Sequence, residues 1–173
     1  VGAMWGHYQL YGAAVQAGEG FPNSSFAAIA NRVSHFFDLS GPSFTLDSLC
    51  SSSLLAVHQA CESIRSGDCQ MAIAGGVNLA VHPSKWDQLA QGKFFSSGAR
   101  CRAFGLDGDG YVPGEGVAAV LLKPLSVALQ DGDRCWGVIR GSAVNHGGHS
   151  RGYTVPKPQA QAAVIKEAIR RSG

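Results

Sequence analysis

The feature that most constrains the fold of this 173-residue chain is a short strand-like run that leads directly into a helical pattern. Phe44-Thr45-Leu46 has the aromatic and β-branched character of a strand. Apolar side chains then recur at the three- or four-residue spacing of one helix face, and Gly67-Asp68 ends the pattern. The members of this face are Leu54, Val57, His58, Cys61 and Ile64. A strand that feeds a helix is the building unit of α/β folds.

Cys50 lies at the corner between the strand-like run and the helix. Such a corner lifts a side chain out of the sheet. The N–H groups and the positive dipole end of the following helix would stabilise a thiolate there. Ser51-Ser52-Ser53 places hydroxyl groups in the first turn, where they are expected to bond the free N–H groups. The residues therefore make Cys50 a candidate nucleophile, with a buried structural cysteine as the alternative.

The other four cysteines fit structural roles better. Cys61 lies on the apolar helix face beside His58, which we interpret as a core histidine, and Cys69 and Cys135 border apolar runs. Cys101 lies in a polar loop between two arginines. Five cysteines is an odd number and no C-x-x-C occurs, so the sequence supports neither a zinc knuckle nor a thioredoxin motif. The simplest expectation is reduced thiols in a cytoplasmic protein.

Composition narrows the class of protein further. Apolar residues make up 45% of the chain, charged residues only 15%, and 23 residues are glycine. These values predict a densely packed α/β domain, or one whose faces are covered by partners. The net charge of +2 gives no reason to expect a nucleic-acid or membrane partner. The acidic pair in Asp107-Gly108-Asp109-Gly110 lacks the ligands that complete a calcium loop, so no metal is expected.

Further elements alternate along the chain and predict a layered α/β fold with a largely parallel sheet. Helices are predicted over residues 24–37, 85–90, 125–130 and 160–171, and buried strands over residues 1–5, 71–77, 116–122 and 136–144. The first strand begins without a start signal and the last helix has no strand after it. We therefore expect residues 1–173 to be a piece of a larger domain.

Glycine-rich segments hold the remaining polar candidates. His146 and His149 flank two glycines, which is compatible with metal binding, proton transfer or a structural role. With no third ligand apparent in the sequence, a structural or substrate-adjacent role is favoured. Glu115 lies in a glycine-rich corner before an apolar run, and a carboxylate buried there needs a partner. Arg100 and Arg102 are the candidate partners.

Taken together, several motifs resemble one family. Asp47 to Leu54, with Ala56-Val57-His58, resembles the active-site stretch of β-ketoacyl synthases, and more closely that of ketosynthase domains in modular polyketide synthases. Other matching segments follow in the same order: 31–34, 41–43, 74–78, 109–116, 145–148 and 152–156. Residues 6–12 and 92–94 resemble the corresponding segments of ketosynthases from assembly lines that are served by a separate acyltransferase.

The resemblance implies a thiolase-like layered fold, with residues 1–173 spanning most of the N-terminal half and the start of the C-terminal half, truncated at both ends. It implies that Cys50 takes an acyl chain from the phosphopantetheine arm of an acyl carrier protein. Decarboxylation of a malonyl-type extender and a Claisen condensation would follow. The Cys50 backbone N–H would supply half of the oxyanion hole. No bound cofactor is implied. The resemblance also implies a homodimer whose sheet continues across the interface near Met71–Asn78.

Two departures from the family pattern bear on this expectation. Ser48-Leu49 stands where the family usually has Thr-Ala, so both residues are candidates for substrate binding, and Leu49 is placed to shape the choice of acyl chain. The family's two catalytic histidines lie in motifs that the 173 residues do not contain, so this segment alone is expected to be inactive in condensation. The alternatives are a non-elongating gatekeeping domain, a structural relative and an unrelated cysteine hydrolase.

Overall fold

The computed structural model describes residues 1–8, 10 and 25–173. Within that part of the chain the elements are α1 (Phe26–Phe36), α2 (Ser52–Ser66), β1 (Ala72–Asn78), α3 (Ser84–Gln91), β2 (Gly116–Leu122), α4 (Leu125–Gln130) and α5 (Pro158–Ser172). The predicted helices are confirmed within a few residues at each end. Residues 9, 11 and 12 of the motif at 6–12 lie outside the described residues.

The sheet is built around Gly2. Gly2 forms parallel bridges with Leu46 on one side and with Gly76 of β1 on the other. The Gly2 N–H donates to Gly75 O at 2.8 Å, and the Leu46 N–H donates to Val1 O at 2.9 Å. β1 pairs in turn with β2. The order across the sheet is therefore Leu46, Gly2, β1 and β2, and the two bridges confirm parallel pairing on the Gly2 side.

This order corrects the expected dimer contact. The prediction that the sheet continues into a partner near Met71–Asn78 is wrong, because β1 has a neighbour on each side. A strand has two edges, and both are occupied here. In the described part of the sheet, the Leu46 strand pairs with Gly2 on one side only. The sequence could not show this, because hydrophobicity predicts a strand and not its place in the sheet.

The chain divides into two compact units, Val1–Ala56 with Gly75–Val120 and Val57–Ala74 with Leu121–Gly173. In the second unit, His58 is buried and its Nδ1 lies 2.8 Å from Ser142 Oγ. The Arg171 guanidinium donates to Ser142 O at 3.4 Å. These contacts join α2, the segment around Ser142 and the end of α5, and they confirm His58 as a core histidine.

Burial is lower than the apolar patterns predict. β2 is exposed along most of its length, and Leu54 on α2 is 75% exposed. Residues 136–144 form no strand, and Trp136 is 85% exposed. The predictions of a buried strand at 116–122 and of any strand at 136–144 are therefore wrong, since these runs find too few neighbours within the described residues. Among those residues, no helix has the length and apolarity needed to span a membrane.

Candidate active site

The corner before α2 is an unusual turn centred on Leu49. Leu49 has a φ of 58°, in the left-handed region that a bulky side chain rarely adopts. Its N–H donates to Asp47 Oδ1 at 2.8 Å, and its carbonyl accepts from Ser52 Oγ at 2.6 Å. The Ser52 hydroxyl also accepts from the Ser48 N–H at 2.9 Å. Side chains on both sides of the turn therefore determine its backbone.

The serines of the first turn bond backwards, which differs from the expectation. Ser51 Oγ donates to Ser48 O at 3.0 Å and lies 3.0 Å from Ser48 Oγ. Together with the Ser52–Leu49 bond, these contacts tie α2 to the residues that precede it. The hydroxyls thus brace the corner and do not cap the free N–H groups of the helix. Ser48 is part of this brace.

Cys50 lies between the turn and the helix as an exposed free thiol. α2 begins at Ser52, and the Leu55 N–H donates to Ser51 O at 2.9 Å as the first helical bond. The strand-like run before the corner amounts to a bridge at Leu46. The prediction of a thiol at the junction of sheet and helix is confirmed, with a shorter strand than expected. A nucleophilic thiol needs this kind of accessible position.

Two glycines allow the first turn of α2 to lie directly on the sheet. A Cβ added to Gly2 would come within 2.5 Å of the Ser52 carbonyl carbon, and one added to Gly76 within 2.8 Å of Ser53 Cβ. Real Cβ atoms do not approach other carbon atoms so closely, so a larger residue at either position would push the helix away. Gly2 and Gly76 therefore set the height of Cys50 above the sheet.

Tyr111 is linked to Cys50 by electrostatics, a relation that the sequence did not reveal. Burial raises the pKa of Tyr111, and the charge of the Cys50 thiolate raises it further, so the two groups interact electrostatically. The Tyr111 N–H donates to Phe94 O at 2.9 Å, and the Ser96 N–H donates to Tyr111 O at 3.1 Å. Tyr111 belongs to the 109–116 motif, but no spacing rule connects it to a residue so far away in the sequence.

The remaining cysteines differ from Cys50 in exposure or bonding. Cys61 is 8% exposed, and burial raises the pKa of its thiol, in keeping with the predicted structural role. The Cys101 sulfur accepts from the Val112 N–H at 3.2 Å. Cys101 and Cys135 are exposed, so the interpretation of these two as buried structural cysteines is wrong.

Glu115 does not pair with an arginine. Its carboxylate accepts a hydrogen bond from the Ala80 N–H, and the side chain is exposed. Arg102 donates instead to Asp107 O at 3.0 Å. The expected partnership of a buried Glu115 with Arg100 or Arg102 is therefore wrong, because a backbone amide at the end of β1 already meets the carboxylate.

His146 takes part in a local turn. Its Nδ1 accepts from the Gly148 N–H at 2.9 Å. Of the alternatives for this loop, that contact favours the structural role.

Comparisons with known proteins identify the family to which this chain is similar. Residues 1–128 match the family model of the β-ketoacyl synthase N-terminal domain, and residues 136–173 match that of the C-terminal domain. Polyketide synthase PksL of Bacillus subtilis strain 168 is 58% identical over 98% of this chain. Polyketide synthase ThaG of Burkholderia thailandensis is 53% identical over 99%. The chain spans only 4% and 3% of these two relatives.

Solved structures support the same family assignment. The oxazolomycin ketosynthase domain OzmH KS7 of Streptomyces albus JA3453 matches 99% of this chain with a TM-score of 0.94 and 56% identity. The ketosynthase from module 6 of the bacillaene synthase of Bacillus subtilis 168 matches 99% with a TM-score of 0.89 and 31% identity. The chain covers 30% of each of these structures. Its fold is thus part of the thiolase-like fold that was predicted.

Proposed function

The chain belongs to the β-ketoacyl synthase family, and from this membership we propose that it is the part of a polyketide ketosynthase that carries the acyl-accepting cysteine. The observation that supports this role is the exposed Cys50 thiol, which a braced turn presents at the start of α2. The complete domain, of which residues 1–173 are one part, is an acyltransferase of the 3-oxoacyl-[acyl-carrier-protein] synthase type in this proposal.

The proposed reaction has two steps. The Cys50 thiolate attacks the thioester carbonyl of an acyl chain on the phosphopantetheine arm of an acyl carrier protein. The new Cys50–acyl bond forms, and the pantetheine thiol leaves. A malonyl-type extender on a second carrier then loses carbon dioxide, and the resulting carbanion equivalent attacks the Cys50 thioester. The β-ketoacyl product stays on the carrier and the Cys50 thiolate is released. The Cys50 N–H is proposed to donate to the oxyanion of both tetrahedral intermediates.

Leu49 and Ser48 are proposed to lie on the substrate side of Cys50. Leu49 directly precedes Cys50 in the sequence and is 50% exposed. A bulky aliphatic group there would favour acyl chains that leave room for it. The Ser48 hydroxyl lies 3.0 Å from Ser51 Oγ, so its proposed contribution is to hold the corner.

The proposed partners are acyl carrier protein and a second copy of the domain. Because β1 is enclosed, the Leu46 side of the sheet is the better candidate for a shared edge than Met71–Asn78. The resemblance of residues 92–94 supports an assembly line with a separate acyltransferase. The proposed compartment is the cytoplasm, in keeping with five free thiols.

Substitution of Cys50 tests the proposed function. In the complete ketosynthase domain, Cys50→Ala is expected to abolish acyl loading from a carrier-bound substrate, because no thiolate remains to attack the thioester. Cys61→Ala is the matched control, since it removes a buried thiol from the same helix. Intact-protein mass spectrometry measures the acyl adduct. Equal loss of loading in both variants would count against Cys50 as the nucleophile.

A further inference from the structure

Ser52 is a buried residue two positions after Cys50, and both of its donors meet the same carbonyl. Only 5% of its surface is exposed. Its hydroxyl donates to Leu49 O at 2.6 Å and accepts from the Ser48 N–H at 2.9 Å. The Ser52 N–H also donates to Leu49 O, at 3.1 Å. Ser52 therefore holds the carbonyl that directly precedes Cys50.

The Leu49 carbonyl and the Cys50 N–H belong to one peptide group. That group is planar and trans, so its C=O and its N–H point in opposite directions. Because Ser52 holds the oxygen toward α2, it also fixes the direction of the Cys50 N–H, which points away from the first turn of the helix. Rotation of this group about the line between the two Cα atoms would redirect the N–H and leave the Cys50 Cα nearly in place.

The preceding peptide group is held by different side chains. The Ser48 carbonyl accepts from Ser51 Oγ at 3.0 Å, and the Leu49 N–H donates to Asp47 Oδ1 at 2.8 Å. Those contacts orient a group that carries no donor to the proposed oxyanion. Within the described residues, the Leu49 carbonyl accepts hydrogen bonds from Ser52 alone. The orientation of the Cys50 N–H is therefore assigned to Ser52 and not to the corner as a whole.

The sheet in turn holds Ser52. A Cβ added to Gly2 would come within 2.5 Å of the Ser52 carbonyl carbon, so the two backbones are in direct contact. Gly2 is bridged to Leu46 and to Gly76. The buried hydroxyl therefore has little freedom to move. A donor that is fixed before the reaction needs no reorganisation when charge develops, which is what makes such donors effective.

We propose that Ser52 is a positioning residue that directs the Cys50 backbone N–H at the oxyanion of the acyl-transfer intermediates. This inference rests on the proposed function of Cys50. When the thiolate attacks the thioester, the carbonyl oxygen gains a negative charge, and it loses that charge as the pantetheine thiolate leaves. The Cys50 N–H donates to the oxygen during this interval, and Ser52 acts on it only through the Leu49 carbonyl.

Two rates measured on the complete domain separate this role from general support of the corner. Acyl transfer from an N-acetylcysteamine thioester to Cys50 passes through an oxyanion, whereas alkylation by iodoacetamide displaces iodide and forms no tetrahedral oxyanion. In Ser52→Ala the acylation rate constant at saturating thioester is expected to fall by about tenfold or more, because loss of an oxyanion donor costs about 10²–10³-fold and a misdirected donor loses part of that. The alkylation rate constant is expected to stay within about threefold of wild type, since it depends on the accessible thiolate.

Ser53→Ala is the matched control. It makes the same chemical change at the next residue, which is exposed and takes no part in the bonds to the Leu49 carbonyl. Both rate constants are expected to match those of the wild-type domain. A fall in acylation in Ser53→Ala as large as that in Ser52→Ala would overturn the assignment to Ser52.

The other outcomes are equally distinct. Unchanged acylation in Ser52→Ala would overturn the inference, as would equal losses of acylation and alkylation, because a displaced thiol slows both reactions. Should Ser52→Ala fail to fold, Ser52→Cys decides, because it keeps the side-chain size and replaces the hydroxyl with a weak donor. Acylation is again expected to fall more than alkylation, with tandem mass spectrometry assigning each adduct to Cys50, and an equal fall would overturn the inference. Absence of acyl loading in the wild-type domain would instead refute the proposed function itself.

Discussion

At the scale of single residues, the active-site corner depends on strain that its neighbours balance. A bulky residue in the left-handed region, such as Leu49 at a φ of 58°, costs about 1–2 kcal/mol. The hydrogen bonds from the Leu49 amide to Asp47 and from Ser52 to the Leu49 carbonyl each contribute about 0.5–1.5 kcal/mol. These contributions are of the same size as the strain. These hydrogen bonds therefore offset the strain at Leu49, and the turn places Cys50 at the start of α2.

His7 is a second residue whose environment has a measurable consequence. It is 7% exposed, and burial, then His82, then Lys85 lower its pKa below the usual 6.5. Trp5 and Gln88 lie close to His7, with 4.9 Å between the Trp5 and His7 ring centroids and 3.4 Å between Gln88 Nε2 and His7 Nε2. Because the folded state binds this proton less tightly than the unfolded state, neutral His7 stabilises the fold.

The free energy of unfolding of the complete domain is therefore expected to fall as pH drops below 6.5. The His7 contribution is fully present above that value and decreases toward the lowered folded pKa. Urea titrations across this range in wild type and in His7→Gln measure it, and the variant is expected to show a flatter profile. His35→Gln, at an exposed histidine of α1, is the control. A slope in His7→Gln that matches wild type would contradict the assignment.

At the scale of elements, the sequence predicted the features that depend on local residues but not those that depend on contacts between distant parts of the chain. Helix α2 follows from apolar residues that recur at helical spacing within one stretch of chain, so the sequence predicted it. The run at 116–122 does form strand β2, but its burial depends on neighbours that sequence does not specify. The same holds for the site: Cys50 was predictable from its own corner, whereas the electrostatic link between Tyr111 and Cys50 arises only through folding.

The docking of α2 on the sheet gives a prediction at this scale. Gly76→Ala places a Cβ 2.8 Å from Ser53 Cβ, so the first turn must shift. Overpacking of this kind costs about 1–3 kcal/mol in unfolding free energy. Cys50 alkylation is also expected to slow, because the corner moves with the helix. Gly137→Ala is the control, since its Cβ would meet no atom of the described residues within 4 Å. Urea denaturation and alkylation rates check both effects, and equal behaviour of the two variants would refute the docking role of Gly76.

At the scale of the whole molecule, five of the seven buried hydrophobic residues that the structure describes are alanines. Those in the described part of the chain are Ala3, Ala30, Ala56, Cys61, Ala74, Leu89 and Ala128. Many larger apolar side chains are exposed, including Phe36 at 81% and Ile169 at 65%. The solved ketosynthases are about three times longer, since the chain covers 30% of each. These 173 residues therefore contain Cys50, the proposed nucleophile, and its supporting corner, but they cover only about a third of the solved ketosynthase structures.

The 173-residue chain alone is expected to form no carbon–carbon bond from acyl and malonyl carriers, whereas the complete domain is expected to do so. Attack by Cys50 on a thioester needs only an accessible thiolate and an oxyanion donor, but decarboxylation of the extender needs further groups to stabilise the developing charge. The resemblance implies that the family's two catalytic histidines supply these groups, and the 173 residues contain neither of their motifs. Liquid chromatography with mass spectrometry of the carrier-bound product distinguishes the two. Substantial condensation by the isolated chain would refute the requirement for the histidines, and loading without condensation by the complete domain would favour a non-elongating ketosynthase.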